Sequence, residues 1–80
     1  MMSVFHELDT VVLLKDRPEA GLRAGDVGAV VQVYAPDAIE VEFVTAAGRT
    51  ITTETLGAGD VRPVRDDDLL TVRSSMRGAA

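Results

Sequence analysis

Residues 21–50 read GLRAGDVGAVVQVYAPDAIEVEFVTAAGRT, and this stretch decides the fold. Gly25 and Gly28 sit at the start of an apolar run, Val27 to Val33, within a second strand expected over Val27 to Tyr34, where the chain must bend sharply and then pair on both sides. Glycine suits such a bend because it tolerates positive φ and leaves room for a crossing backbone. The run predicts a strand, and its continuous apolar character predicts burial on both faces, as when one strand serves both halves of a barrel. Ile39 to Val44 then alternates: Ile39, Val41 and Phe43 on one face, Glu40 and Glu42 on the other. That period of two marks a half-buried antiparallel strand.

The turns agree with these strands. Ala35-Pro36-Asp37-Ala38 combines a proline that presets φ with an aspartate able to close a turn through its side chain. Ala46-Ala47-Gly48-Arg49 is a second turn, with Gly48 at the expected left-handed position. Outward from the core stretch, Thr10 to Leu14 is β-branched and apolar and predicts a first strand. Residues 15–26 (KDRPEAGLRAGD) form an irregular loop with Leu22 as its one large apolar anchor. Thr50 to Thr55 is a threonine-rich fourth strand. Leu56 to Asp60 is a tight turn with 3₁₀ character, and Val61 to Val64 a short fifth strand that Pro63 confines to an edge.

At the flanks, Phe5 and Leu8 are spaced i, i+3, which predicts a helical turn over Val4 to Leu8 capped by Ser3. Beyond Arg65 lie three aspartates, the apolar piece Leu69 to Val72, and a small polar tail whose last six or so residues are expected to fray. The expected organisation is a small five-stranded all-β barrel over residues 4–65 and a C-terminal tail over 66–80.

Composition narrows the function. The chain has 80 residues, no cysteine, and 13 acidic against 8 basic residues, for a net charge of −5. A disulfide framework and thiolate zinc sites are excluded. No segment approaches the roughly 20 apolar residues of a membrane span, and residues 1–7 lack the pattern of a secretion signal, so a cytoplasmic location is expected. Binders of DNA or RNA usually carry a basic stripe; here seven arginines and one lysine stand mostly beside carboxylates. A nucleic-acid partner is therefore not expected, and no membrane partner either.

No catalytic or cofactor constellation emerges. Glu40 and Glu42 project from one strand face about 7 Å apart, but acid–base work needs burial or a like charge to separate their pKa values. A solvated strand face, or an acidic patch for an arginine-bearing partner, fits better. Asp66-Asp67-Asp68 lacks the alternating ligands and glycine bend of a calcium loop; a solvated run, or an N-cap before Leu69, is the expected state. His6 is the sole histidine and is expected at the surface. Ser3, Ser74 and Ser75 have no nucleophile-elbow context. Gly25-Asp26-Val27-Gly28 opens a strand where a nucleotide fingerprint would open a helix. Arg62, Arg65 and Arg73 are expected to pair with Asp60 and Asp66 to Asp68. Tyr34, ending the second strand at the barrel rim, is the best single candidate for a binding hot spot.

From Phe5 to Val64 the chain resembles an uncharacterised family of short bacterial proteins known as a domain of unknown function (number forty-nine twenty-six). The resemblance is carried by Leu8-Asp9 leading into Val11-Val12-Leu13, by Asp16-x-Pro18-Glu19-x-Gly21-Leu22, and by Gly25-Asp26-Val27-Gly28-x-Val30-Val31. Glu40-Val41-Glu42-Phe43, Gly48-Arg49-Thr50, Leu56 and Val61-Arg62-Pro63-Val64 complete it. It implies an SH3-like barrel with no established activity, and companionship with other small bacterial proteins, some in toxin-like contexts. A weaker similarity, through Gly-x-x-Gly-x-Val, is to the barrels of ribosomal and transcription-elongation proteins, which bind RNA or protein; their lysine-rich loops are missing here.

The function expected is that of a non-enzymatic protein-binding module without cofactor or metal, an accessory or immunity-type subunit that neutralises a toxin. An RNA-binding barrel is the alternative. Exposed loops on a rigid barrel are where binding groups tend to sit. The expected contact residues for a partner protein with a basic surface are Arg17 and Glu19 on the loop from Lys15 to Asp26, with Tyr34, Glu40 and Glu42.

Overall fold

Five strands in one antiparallel sheet account for the regular structure of the computed structural model, which describes residues 5–34 and 36–75. They are β1 (Thr10–Leu13), β2 (Val27–Tyr34), β3 (Ala38–Val44), β4 (Thr50–Gly57) and β5 (Val61–Pro63), with 3₁₀ turns at Pro18–Ala20 and Ala58–Asp60. The order in the sheet is β4-β3-β2-β1-β5: a meander of four strands whose fifth returns to pair with the first. A flat sheet would hold β4 and β5 about 19 Å apart. The 3₁₀ turn Ala58–Asp60 joins those two edges directly and spans on the order of 8 Å. The sheet must therefore curl until its edges approach, which makes it a small barrel of the SH3-like strand order.

β2 is the hinge of that curl. Its first residues pair with β1 (Thr10 opposite Ala29, Val12 opposite Val27), and the remainder with β3 (Ala29 opposite Glu42, Tyr34 opposite Ala38). Two glycines permit the entry. Gly25 takes φ = 97°, open to glycine at no steric cost, and donates its amide to Leu13 O at 2.7 Å. Gly28 is buried against β3, where no side chain fits.

The expectation that β2 is buried on both faces is not met. Val27 and Val31 are exposed, while Gly28 and Val30 are buried and Val33 packs against the core. The register shifts between Val30 and Gln32, so Val31 is an extra residue that resets the alternation. A one-sided strand with a bulge thus produces an apolar run resembling a two-sided one.

The core gathers residues from every strand: Val11 and Leu13 of β1, Val30 of β2, Ile39, Val41 and Phe43 of β3, Leu56 of β4 and Val61 of β5, with Leu22 from the long loop and Phe5 from the N-terminal flank. Val41 and Phe43 point inward as the alternation predicts. The helical turn expected at Val4 to Leu8 is replaced by a reverse turn; Ser3 and Val4 lie outside the described residues. His6 N donates to Asp9 Oδ2 at 2.8 Å, and Leu8 adopts φ = 75°. That left-handed residue points Leu8 into solvent while Phe5 enters the core, so the two do not share a face. Pro63 lies on the edge strand β5, opposite Val11. The turn containing Ala35 is described only from Pro36, and the fraying expected of the last residues falls on positions 76–80, outside the described residues.

Candidate functional site

The five residues expected to meet a partner fall into two groups. Alternation along β3 puts Glu40 and Glu42 on the convex face of the sheet, opposite the core face of Ile39, Val41 and Phe43. Tyr34, across from Ala38, joins them there. Its hydroxyl donates to Glu40 Oε1 at 2.7 Å, and this hydrogen bond, with desolvation and the Glu40 charge, raises the tyrosine pKa above its ordinary value. Glu42 accepts from Thr50 Oγ1 at 2.5 Å. Among the described residues, no arginine or lysine is placed to pair with Glu40 or Glu42.

Arg17 and Glu19 belong to a different cluster. Arg17 Nη2 reaches Glu54 Oε1 at 3.1 Å, and Thr52 Oγ1 donates to the other Glu54 oxygen at 2.9 Å. Glu54 pairs across strands with the inward-facing Val41, so it shares the core side of β4 and not the face of Glu40. Arg17 Nε is buried and lies 3.2 Å from Glu19 Oε2, close enough for an ion pair but off the line of a hydrogen bond. This cluster fastens the long loop to edge strand β4. The loop is also closed on itself by reciprocal amide–carbonyl bonds between Arg17 and Leu22 at 2.9 and 3.0 Å.

Two further ion pairs hold the C-terminal segment. Arg62 grips Asp68 with both terminal nitrogens, at 2.8 and 2.9 Å. These bonds, with the Arg65 amide at 2.7 Å, bring the Asp68 pKa down to about 2. Asp68 therefore caps the turn that precedes it and does not cap a helix at Leu69. Arg73 departs from expectation: its partner is Asp26, 47 residues earlier, through Nε at 2.8 Å and Nη2 at 2.5 Å, and Nη2 also donates to the Gly21 carbonyl at 3.1 Å. The acidic neighbours Asp66 and Asp67 were nearer in sequence, but the segment is extended and carries Arg73 back over the long loop. Burial pushes Asp26 up; the Arg73 hydrogen bond, the Arg23 amide and the nearby positive charges outweigh it, so its pKa is lowered.

Beside this contact an open cleft of about 470 Å³ is lined by the loop residues Leu22 to Val27, by Phe43, Val44 and Ile51 of the β3–β4 hairpin, and by Thr71 to Arg73 and Ser75 of the C-terminal segment. No sequence signal pairs Asp26 with Arg73. The only hint is the apolar piece Leu69 to Val72 in an otherwise polar tail. Elsewhere, His6 is exposed beside Asp9, and among the described residues no cluster of three or more histidines and carboxylates is placed to hold a metal ion. No helix among them is long and apolar enough to cross a membrane.

A model of the family described as a domain of unknown function, DUF4926, matches residues 7–63. That span runs from just before β1 to the end of β5 and excludes the segment bearing Asp68 and Arg73. No curated protein and no solved structure matches the chain.

Proposed function

The chain belongs to the family described as a domain of unknown function, DUF4926, and from that premise we propose that it is a non-enzymatic protein-binding module of the bacterial cytoplasm, an accessory or immunity-type subunit that engages a basic surface of its partner. The observation that carries this reading is the state of the carboxylates. Asp26, Glu54, Asp60 and Asp68 are each matched to an arginine or lysine. Glu40 and Glu42 have no cationic partner among the described residues, and they stand on a regular strand face beside an exposed tyrosine. Unmatched charge on a rigid face steers an oppositely charged partner and fixes its orientation. Tyrosine supplies contact area at low entropic cost.

The test is affinity capture from the source cell with the wild-type chain, Tyr34→Ala, and the double reversal Glu40→Lys/Glu42→Lys. A basic protein retained by the wild type, released by salt and lost with the double reversal supports the reading. Equal recovery by all three chains moves the site elsewhere, and selective recovery of RNA favours the alternative barrel function.

A further inference from the structure

We propose that the cleft beside Asp26 is a binding site for an extended, arginine-bearing segment of another protein, and that this chain's own Arg73 occupies its guanidinium subsite in cis. The subsite is complete: a carboxylate gripped in a two-pronged fork and a backbone carbonyl on the Gly21 side accept the same guanidinium. Planar bidentate recognition of this kind selects arginine over lysine.

The rest of the cleft is not filled. Leu69, Leu70 and Val72 are 91%, 70% and 98% exposed, so the tail buries almost no apolar surface where it docks. The apolar walls it leaves open, Val27, Val44 and Ile51, remain 39%, 50% and 38% exposed. The tail is thus tethered at two points, Asp68 on Arg62 and Arg73 on Asp26, with its apolar side chains turned outward between them. A segment that presents arginine to Asp26 and an apolar side chain to the Val44–Ile51 wall gains the same fork and buries area that the tail does not. Opposite charge favours it, since the chain carries a net −5. The tethered tail competes at an effective concentration in the millimolar range, which makes it a displaceable guard of the site.

The proposal stands apart from the Glu40/Glu42 reading and is tested on purified full-length protein. A labelled peptide with the sequence of residues 68–75 (DLLTVRSS) is titrated against wild type and Arg73→Ala. Binding should be at least about tenfold tighter to Arg73→Ala, where the competitor is gone, with amide shifts at Val27, Val44 and Ile51. Adding Asp26→Asn to that variant should abolish binding. Asparagine keeps an oxygen for the Arg23 amide that Asp26 accepts at 2.8 Å, so the loop stays folded. Glu40→Lys/Glu42→Lys should leave peptide binding in place, which separates the two readings. Equal affinity for wild type and Arg73→Ala, or indifference to Asp26→Asn, overturns the proposal. So does a wild-type dimer that Arg73→Ala converts to monomer, because the cleft then belongs to the tail of a second copy.

Discussion

Gly28 and Phe43 compete for one volume of the core. A β-carbon on Gly28 would lie 2.9 Å from Phe43 Cε1, 2.6 Å from Val41 Cγ1 and 2.9 Å from the Glu42 carbonyl oxygen. Two of these neighbours are buried side chains and the third is backbone of the paired strand, so none can yield cheaply. Gly28→Val is expected to cost about 1–3 kcal/mol or more through overpacking, lowering the melting temperature by roughly 4–8 °C for each kcal/mol. Thermal melts followed by circular dichroism check this; an unchanged midpoint contradicts the close approach.

Phe43 fills that volume from the other side, at 3% exposure. Phe43→Ala should cost about 3–5 kcal/mol, a large part of the roughly 5–15 kcal/mol available to a domain. The expected result is loss of cooperative urea unfolding at 25 °C. A Phe43→Ala protein that still unfolds cooperatively near the wild-type midpoint would falsify the inward register of β3.

These two positions were legible because each carries its reason locally. The alternation from Ile39 to Val44 states which face is buried, and a glycine ahead of an apolar run states that something passes close by. Val31 was not legible. A run reading Val30-Val31-Gln32-Val33 carries no mark of the residue that slips out of phase, since a bulge shows only in the pairing with β3. The reversal at Leu8 was hidden for a related reason: i, i+3 spacing predicts a shared face only in a helix, and φ = 75° at Leu8 breaks the premise. Of the candidate site, the outward Glu40 and Glu42 followed from period two. That Arg17 lies on the core side of β4 depends on a contact 37 residues apart, and Arg73 on one 47 residues apart. Charge pairing at such distances follows the folded path of the chain, so proximity in sequence pointed Arg73 at the wrong aspartates.

The Arg17–Glu54 contact fastens the long loop to β4 with side chains 26% and 19% exposed. Partial exposure keeps its worth near that of a surface pair. A double-mutant cycle with Arg17→Ala and Glu54→Ala should give a coupling of about 0.5–1 kcal/mol. Hydrogen exchange at the Arg17 and Leu22 amides should quicken in both single variants. Additive effects with unchanged exchange would mean that the loop is held by its other contacts and not by this pair.

Acid should release the C-terminal segment before it unfolds the barrel. The Asp68 pKa is about 2, held down first by the Arg62 hydrogen bonds and then by the Arg65 amide, against an ordinary aspartate value of about 3.9. A carboxylate whose pKa is depressed in the folded state contributes stability that is fully present above its unfolded value and lost as pH falls through the folded one. The window for Asp68 therefore runs from about pH 4 down to about pH 2. Asp26 and Asp60 are also lowered, the latter first by Lys15, and titrate with the same sign. Among the described residues the buried β-sheet core contains no titratable group. Asp60, in the turn between β4 and β5, costs the barrel part of its stability in the same window, but the apolar core is expected to hold. Amide shifts of Leu69 to Val72 should move toward unstructured values between pH 4 and pH 2 while those of Val30, Val41 and Leu56 hold. Asp68→Asn should show the Arg62 end of the tail released already at pH 6, leaving the Arg73–Asp26 fork to be lost on acidification. A tail and a core that titrate together in the wild type would show instead that the two forks stabilise the whole fold and not only the segment they tether.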